Sequence, residues 1–345
     1  MKILIEALHG LGDTVCLLPM IVKVREKYPE AEITVLLKFG INKAIIEASK
    51  IKIEHVFILN MYSSDVLSTL KKLIFLHNQN FDLAISSANT PINKAKLFMK
   101  LINPKKVVGL QHEKNLCFDL LHDKYHFVEA NLMAIKSLDI SSQDHIAPKL
   151  YAETSIKTQL RKDMQLNSSM KVIGLCIGDA DFSYRNRWLR TGKVFTRGWG
   201  ISNMLSLTRE LLEKTYTVVL IGGKLEENLL ENIPNEILEN KNLINMVNKT
   251  NLQESMALVT LCDLAVGVDT GMMHIADALG VKTVSIFGPT NPKTHGAYSD
   301  QASVVEADVP CKYCYGTKNY VECKDRECLK NISVKDIMQK IMMEG

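Results

Sequence analysis

One stretch restricts what this chain can fold into more than any other: VGVDTGMMHIADALGVKTVSIFGPTNP, from Val266 to Pro292. Leu264–Val268 is a short apolar run of the kind that forms a buried strand. Asp269-Thr270-Gly271 follows at once. Asp and Thr are good helix caps, and Gly permits unusual backbone angles. The spacing predicts a helix over 271–279, stopped by Gly280. Met272, Ile275, Ala276 and Leu279 share a face suited to packing on a sheet, while His274 lies off that stripe, one turn in. Thr283–Phe287 reads as a second buried strand, closed by Gly288-Pro289-Thr290. Such a β-turn-α-β unit puts a helix N-terminus, with its free N–H groups and positive dipole end, beyond the carboxyl end of a strand. That is an anion site on the ligand edge of an open α/β sheet. From the residues alone, Asp269 reads equally as a plain cap and His274 as a surface residue.

The rest of the chain repeats the alternation. Lys2–Leu8 is a strand, His9-Gly10-Leu11-Gly12-Asp13 a glycine turn, and Thr14–Tyr28 a helix. The turn is not GxGxxG, so a dinucleotide fingerprint is not supported. Asp13 at the helix start is either a cap or, on the ligand edge of the sheet, a general base. Strands over 32–37, 55–59, 81–86 and 106–109 alternate with helices over 41–48, 66–77, 95–101 and 127–138. The polar stretch His112–His126 receives no role, and 139–149 reads as a linker. The second half restarts with a helix over 155–165 and a strand over 172–177. Residues 178–200 then form a long segment carrying Arg185, Arg187, Arg190, Lys193 and Arg197, cations that could meet phosphates. Loops this long in compact domains are often functional. The strand 217–221 runs into Gly222-Gly223-Lys224-Leu225-Glu226. The Gly pair lets a ligand approach the backbone, and Glu226 suits a ribose hydroxyl pair or is a helix-start acid. The predicted fold is α/β: two Rossmann-like domains with parallel sheets, over 1–145 and 150–320, and a tail over 321–345.

With 345 residues, 46% hydrophobic and 23% charged, the chain is long enough for two cores. A formal net charge of +4 argues against a nucleic-acid partner and suits a phosphorylated substrate or an anionic membrane face. No apolar run reaches the ~18 residues of a membrane span. The N-terminus enters a glycine turn too early for a signal peptide, so a cytoplasmic protein is expected.

The string DTGxxHxAxALGxxTVxxFGPTxP resembles the donor-site signature of glycosyltransferase family 9, the ADP-heptose:lipopolysaccharide heptosyltransferases. GLGDTVCLLP resembles the family's opening motif. The resemblance implies a GT-B fold, with the two domains facing across a cleft, and inverting, metal-independent transfer of heptose from an ADP-sugar to a glycolipid acceptor hydroxyl. Lipopolysaccharide core would be the default acceptor, with peripheral contact to the inner membrane. It implies Asp13 as catalytic base. It implies donor contacts at Gly12, Gly222, Gly223, Glu226, Thr250, Asp269, Thr270, Gly271 and His274, with Arg197 before Trp199 in place of a family Lys. Asn248 stands where the family usually has Gly. The alternatives are a protein or small-molecule acceptor, a catalytically idle sugar-nucleotide-binding protein, and a sugar-nucleotide epimerase sharing two facing Rossmann domains.

Cys311-x2-Cys314-x8-Cys323-x4-Cys328 gathers four thiols in a polar, Lys-rich tail. In a cytosolic protein such a set is a candidate structural zinc or iron site, or a group of free or redox-sensitive thiols. A C-terminal helix over 333–343 is expected to pack back on the first domain.

Overall fold

A computed structural model of the chain describes residues 1–60, 65–88, 90, 92–109, 124–140, 146–178, 197–323 and 325–344. The chain divides into two compact units, Met1–Tyr151 and Ala152–Gly345.

The first unit runs β1 (Lys2–Ala7), α1 (Leu11–Lys27), β2 (Glu32–Leu37), α2 (Lys43–Ala48), β3 (His55–Ile58), α3 (Val66–His77), β4 (Leu83–Ser86), α4 (Ile92–Ile102), β5 (Lys106–Val108) and α5 (Phe127–Ala134). Its sheet is parallel throughout, in the order β3-β2-β1-β4-β5. Successive residues of β1, from Ile3 to Ile5, are all buried, as expected for a parallel sheet covered on both faces. α1 packs with α2 and α5, and α3 with α4. Leu76, Phe98, Met99 and Ile102 bury against Leu4, Leu36 and Ala84 of the sheet.

The second unit runs α6 (Thr154–Asp163), β6 (Val172–Cys176), α7 (Ile201–Glu213), β7 (Thr217–Ile221), α8 (Glu227–Leu230), α9 (Asn235–Leu238), β8 (Leu243–Asn245), α10 (Leu252–Val259), β9 (Leu264–Val268), α11 (Gly271–Ala278), β10 (Lys282–Phe287), α12 (Pro292–His295), β11 (Ala302–Glu306), α13 (Lys318–Glu322), α14 (Glu327–Lys330) and α15 (Val334–Glu344). Its parallel sheet has the order β11-β10-β9-β6-β7-β8. Counted within the unit, that is the six-stranded Rossmann order. Both sheets therefore reverse direction beside their first strand, between β1 and β4 and between β6 and β9. Open α/β sheets bind ligands beyond the carboxyl ends of the strands at such a point. At the second of these points a Cβ on Gly267 would come 2.9 Å from both Cβ and the carbonyl oxygen of Cys176, and 3.0 Å from the Met273 sulfur. Only glycine lets β6, β9 and α11 close in this way.

The expected α/β fold of two Rossmann-like units is present, with three differences. α1 begins at Leu11, not Thr14, so Gly12 and Asp13 lie inside its first turn. β11 was not expected; it is a half-exposed edge strand without the dense apolar run of its neighbours. α15 packs on α7, β10 and β11 of its own unit, where Ile337, Met338 and Ile341 join the core beside Met204 and Leu207. No described helix is long and apolar enough to cross a membrane.

Candidate functional site

β9 ends at Val268, and the chain turns at once into α11 through Asp269 and Thr270. The Asp269 N–H still bonds to the Ile286 carbonyl of β10 at 3.3 Å, so the turn is held at the edge of the sheet. Its side chain is only 5% exposed. Nη1 of Arg197 donates to its Oδ2 at 2.6 Å. Burial works against ionisation of this carboxyl. The Arg197 guanidinium, then His274, then the Thr290 hydroxyl outweigh it and hold the group below the usual carboxylate range. Thr270 is the N-cap of α11, in extended geometry, and its side chain makes no capping bond. The helix N-terminus is therefore left to whatever lies in front of it.

Arg197 is held from several directions. Its guanidinium also lies 5.5 Å from the centre of the Tyr315 ring. Tyr315 is fixed in turn by its N–H bond to Pro289 O at 2.8 Å and by an edge contact with His295 at 6.2 Å. Two residues on, buried Trp199 donates its indole N–H to Ile332 O at 2.9 Å. The same ring belongs to the core with Ile337 and Met338.

A second group sits at the ends of the neighbouring strands. The Glu226 carboxylate accepts the Gly223 N–H at 2.7 Å. A Cβ on Gly178, just past β6, would lie 3.7 Å from its Oε1, so this acid leans over the end of β6. Gly222 has room for nothing larger: an added Cβ would come 3.0 Å from Glu226 Cβ and 3.2 Å from Ile177. Thr250 shares a hydroxyl contact of 2.7 Å with Ser255 at the start of α10, where Asn251 and Glu254 cap reciprocally.

In the first unit, Oδ2 of Asp13 accepts the Gly10 N–H at 3.2 Å, and Gly12 lies in the same helical turn. Beside them is a network that the sequence reading did not single out. Glu6, 1% exposed, takes hydrogen bonds from the Thr90 hydroxyl at 2.8 Å, the Leu8 N–H at 3.1 Å, Ser86 at 3.3 Å and Ser87 at 3.4 Å. His9 Nε2 lies 2.5 Å from Ser87 Oγ and 3.1 Å from Thr90 Oγ1. The signal was present as Ser87 and Thr90 in a polar loop on this edge, but a strand glutamate next to apolar residues did not suggest a hub.

The structure thus gathers Arg197, Asp269, Thr270, Gly271 and His274 in one cluster and Gly222, Gly223 and Glu226 in another. Thr290, Tyr315 and His295 join the first cluster unannounced. Arg185, Arg187, Arg190, Lys193 and His112 lie outside the described residues.

The tail is built into the second unit. Tyr313 N–H bonds to Gly288 O at 3.3 Å, and the Cys328 sulfur lies beneath Gly288, where a Cβ would meet it at 3.1 Å. Burial, then Cys311 and Cys314, push the Cys328 thiol up to about 11. Burial, then Cys323, raise Cys314. The four thiols are thus near enough to sense one another. Even so, among the described residues no three His, Cys, Asp or Glu side chains are gathered as a metal ion would need.

Comparison with known proteins agrees with this fold. The family model for glycosyltransferase family 9 (heptosyltransferase) matches residues 75–324. The chain is 24% identical over 346 residues to lipooligosaccharide heptosyltransferase 2 of Campylobacter jejuni, covering 99% of this chain and 97% of that protein. Its fold is similar to a family 9 glycosyltransferase from Veillonella parvula, with a TM-score of 0.80, 18% identity and coverage of 99% and 96%. It is also similar to the E. coli ADP-heptose LPS heptosyltransferase II, with a TM-score of 0.71, 18% identity and coverage of 100% and 98%.

Proposed function

The chain belongs to glycosyltransferase family 9 and is a glycosyltransferase of GT-B fold, and from that premise we propose that it transfers heptose from ADP-heptose to a hydroxyl of a lipopolysaccharide or lipooligosaccharide core. The observation that carries this reading is the buried Asp269–Arg197 pair at the N-terminus of α11, on the switch point of a Rossmann sheet. A carboxylate touching a diphosphate would repel it. Asp269 therefore acts on the donor indirectly, by fixing the Arg197 guanidinium at the mouth of the site, with the His274 ring beside it. Arg197, His274 and the N–H groups at Gly271 receive the diphosphate. Glu226, over the end of β6, takes the ribose hydroxyls, with Gly222 and Gly223 giving the nucleoside access to the backbone. Thr250 flanks this donor group.

In the reaction, the acceptor oxygen attacks the anomeric carbon as the bond from that carbon to the diphosphate oxygen breaks. The hydroxyl proton passes to Asp13, and the electron pair leaves with ADP, whose growing charge Arg197 and the helix N-terminus stabilise. Attack opposite the leaving group inverts the anomeric centre. The residues supply both the base and the charge stabilisation, so the chemistry runs without a metal. In this reading the first unit carries the acceptor and the second the donor, on the cytoplasmic side of a membrane that holds the glycolipid.

The test is paired: calorimetric titration of ADP, and product analysis with ADP-heptose and a heptose-deficient core acceptor. Tight ADP binding with transfer is expected. Binding without transfer to any acceptor would mark an idle nucleotide-sugar-binding protein, and isomerised free sugar nucleotide would mark an epimerase.

Zinc or iron at Cys311, Cys314, Cys323 and Cys328 is a second, separate proposal about folding. The Cys-x2-Cys spacing and the nearness of Cys311, Cys314 and Cys323 to Cys328 support it, while the four side chains as they stand do not form a ligand set. Elemental analysis is expected to find one metal per chain, lost in Cys328→Ser; a metal-free protein would end the proposal.

A further inference from the structure

α3 and α4 form a helical layer on one face of the first sheet. Their inward residues, Leu76, Phe98, Met99 and Ile102, already fill the core beneath them. The outer face of such a layer is ordinarily polar. Here Val66, Leu67, Leu70, Ile74, Leu97 and Leu101 are between 45% and 73% exposed. On α3 they fall at i, i+1, i+4 and i+8, which is one helical stripe. On α4, Leu97 and Leu101 are one turn apart. His77 Nδ1, near the end of α3, bonds to Leu101 O at 3.0 Å, so the helices lie side by side and the two stripes make one surface.

The charges on this surface all have one sign. Lys71, Lys94, Lys96 and Lys100 are exposed among the leucines, and neither 66–77 nor 92–102 contains an Asp or Glu. Asp65, directly before α3, is occupied as its N-cap, accepting Ser68 N–H at 2.9 Å. The whole chain is only +4, so the concentration of charge is local.

We propose that the outer face of α3 and α4 docks on an anionic lipid bilayer. An apolar stripe edged by lysines is the pattern of helices that lie in a membrane interface: the apolar side chains enter the acyl boundary, and the lysine stems reach back to acidic headgroups. A protein partner fits less well, since lysine is depleted from protein interfaces. A second copy fits least, because a symmetric contact would set lysines against lysines with no acid to answer them. The inference deepens the glycolipid-acceptor reading above, because such an acceptor is presented at a bilayer surface. Its test involves no transfer, so either reading can fail alone.

The experiment is co-sedimentation of the full chain with vesicles of phosphatidylcholine alone, and of phosphatidylethanolamine with phosphatidylglycerol. Binding to the anionic vesicles, weakened by salt, is expected. Each Lys→Gln change at 71, 96 or 100 should lower the partition coefficient about fivefold. Leu70→Glu with Leu97→Glu should abolish binding with the melting temperature retained, because both side chains are solvent-facing in the free protein. Absence of binding, or binding equal on both vesicle types and indifferent to these changes, would overturn the proposal. So would a concentration-dependent dimer that Leu70→Glu dissolves, which would assign the face to a second copy.

Discussion

The two units solve the same topological problem with opposite electrostatics. In each, the parallel sheet reverses beside its first strand, and a buried acid sits near that point. In the second unit the acid is Asp269, answered by a full cation, Arg197, at 2.6 Å. In the first unit it is Glu6, answered by hydroxyls, a backbone N–H and the His9 ring. An acid paired with guanidinium fixes positive charge in place, which suits a diphosphate. An acid surrounded by hydroxyls, a backbone N–H and an imidazole fixes those groups in place instead. Asp13, the proposed base, lies on the first turn of α1 beside that set. In the proposed reading, the partner of the buried acid, and not the fold, marks the edge that receives phosphate.

The largest effect that would test this contrast is at Asp13. Asp13→Asn is expected to lower transfer by about 10²–10⁴, the usual cost of a missing general base, with ADP affinity unchanged. An equal loss of ADP affinity, measured by calorimetry, would make Asp13 a donor residue and break the division of labour. Next is Arg197→Met, which strands a buried carboxylate and should cost about 3–5 kcal/mol of stability by thermal or urea melts, together with ADP binding. The double variant Arg197→Met with Asp269→Leu should recover much of the stability and none of the ADP binding. Recovery of binding would show that the pair serves the fold alone.

A smaller effect lies in pH. The folded pKa of Asp269 is lowered, so its contribution to stability is present above the unfolded value of about 3.9 and is lost as pH falls through the folded value. Between pH 5 and 3 the wild-type melting temperature should therefore fall more steeply than that of Asp269→Asn; parallel curves would contradict the assignment. The smallest is Thr90→Val, which removes one neutral donor from Glu6 and should cost about 1 kcal/mol in a melt, without altering ADP affinity. A loss several times larger would mean that the first edge depends on Glu6 as strongly as the second depends on Asp269.

The sequence revealed what is local. Glu32–Leu37, Val66–His77, Thr217–Ile221 and Leu264–Val268 end where their apolar runs end. The turn at Asp269–Gly271 was legible because cap, glycine and strand lie within a few residues. What escaped depends on distant neighbours. Leu11-Gly12 reads as turn, yet the helix starts there, with Asp13 reaching back to the Gly10 N–H. Tyr315 comes to lie against Arg197 because the tail folds onto Pro289, which no spacing encodes. Glu6 looked like an isolated acid in a strand, since its partners Ser86, Ser87 and Thr90 are about eighty residues away. The exposed apolar stripes of α3 and α4 could not be read from the sequence, because periodicity cannot say how many stripes of a helix are covered.

The Trp199 indole bond to Ile332 has a consequence for how this protein can be damaged. Arg197 lies two residues before that anchor, and the anchor is a carbonyl at the start of the C-terminal segment. The last dozen residues thus act as a latch on the segment that carries Arg197. On the proposed reading, a stop codon, a protease nick or a tag that lifts α15 should behave in an assay as a lesion of nucleotide binding.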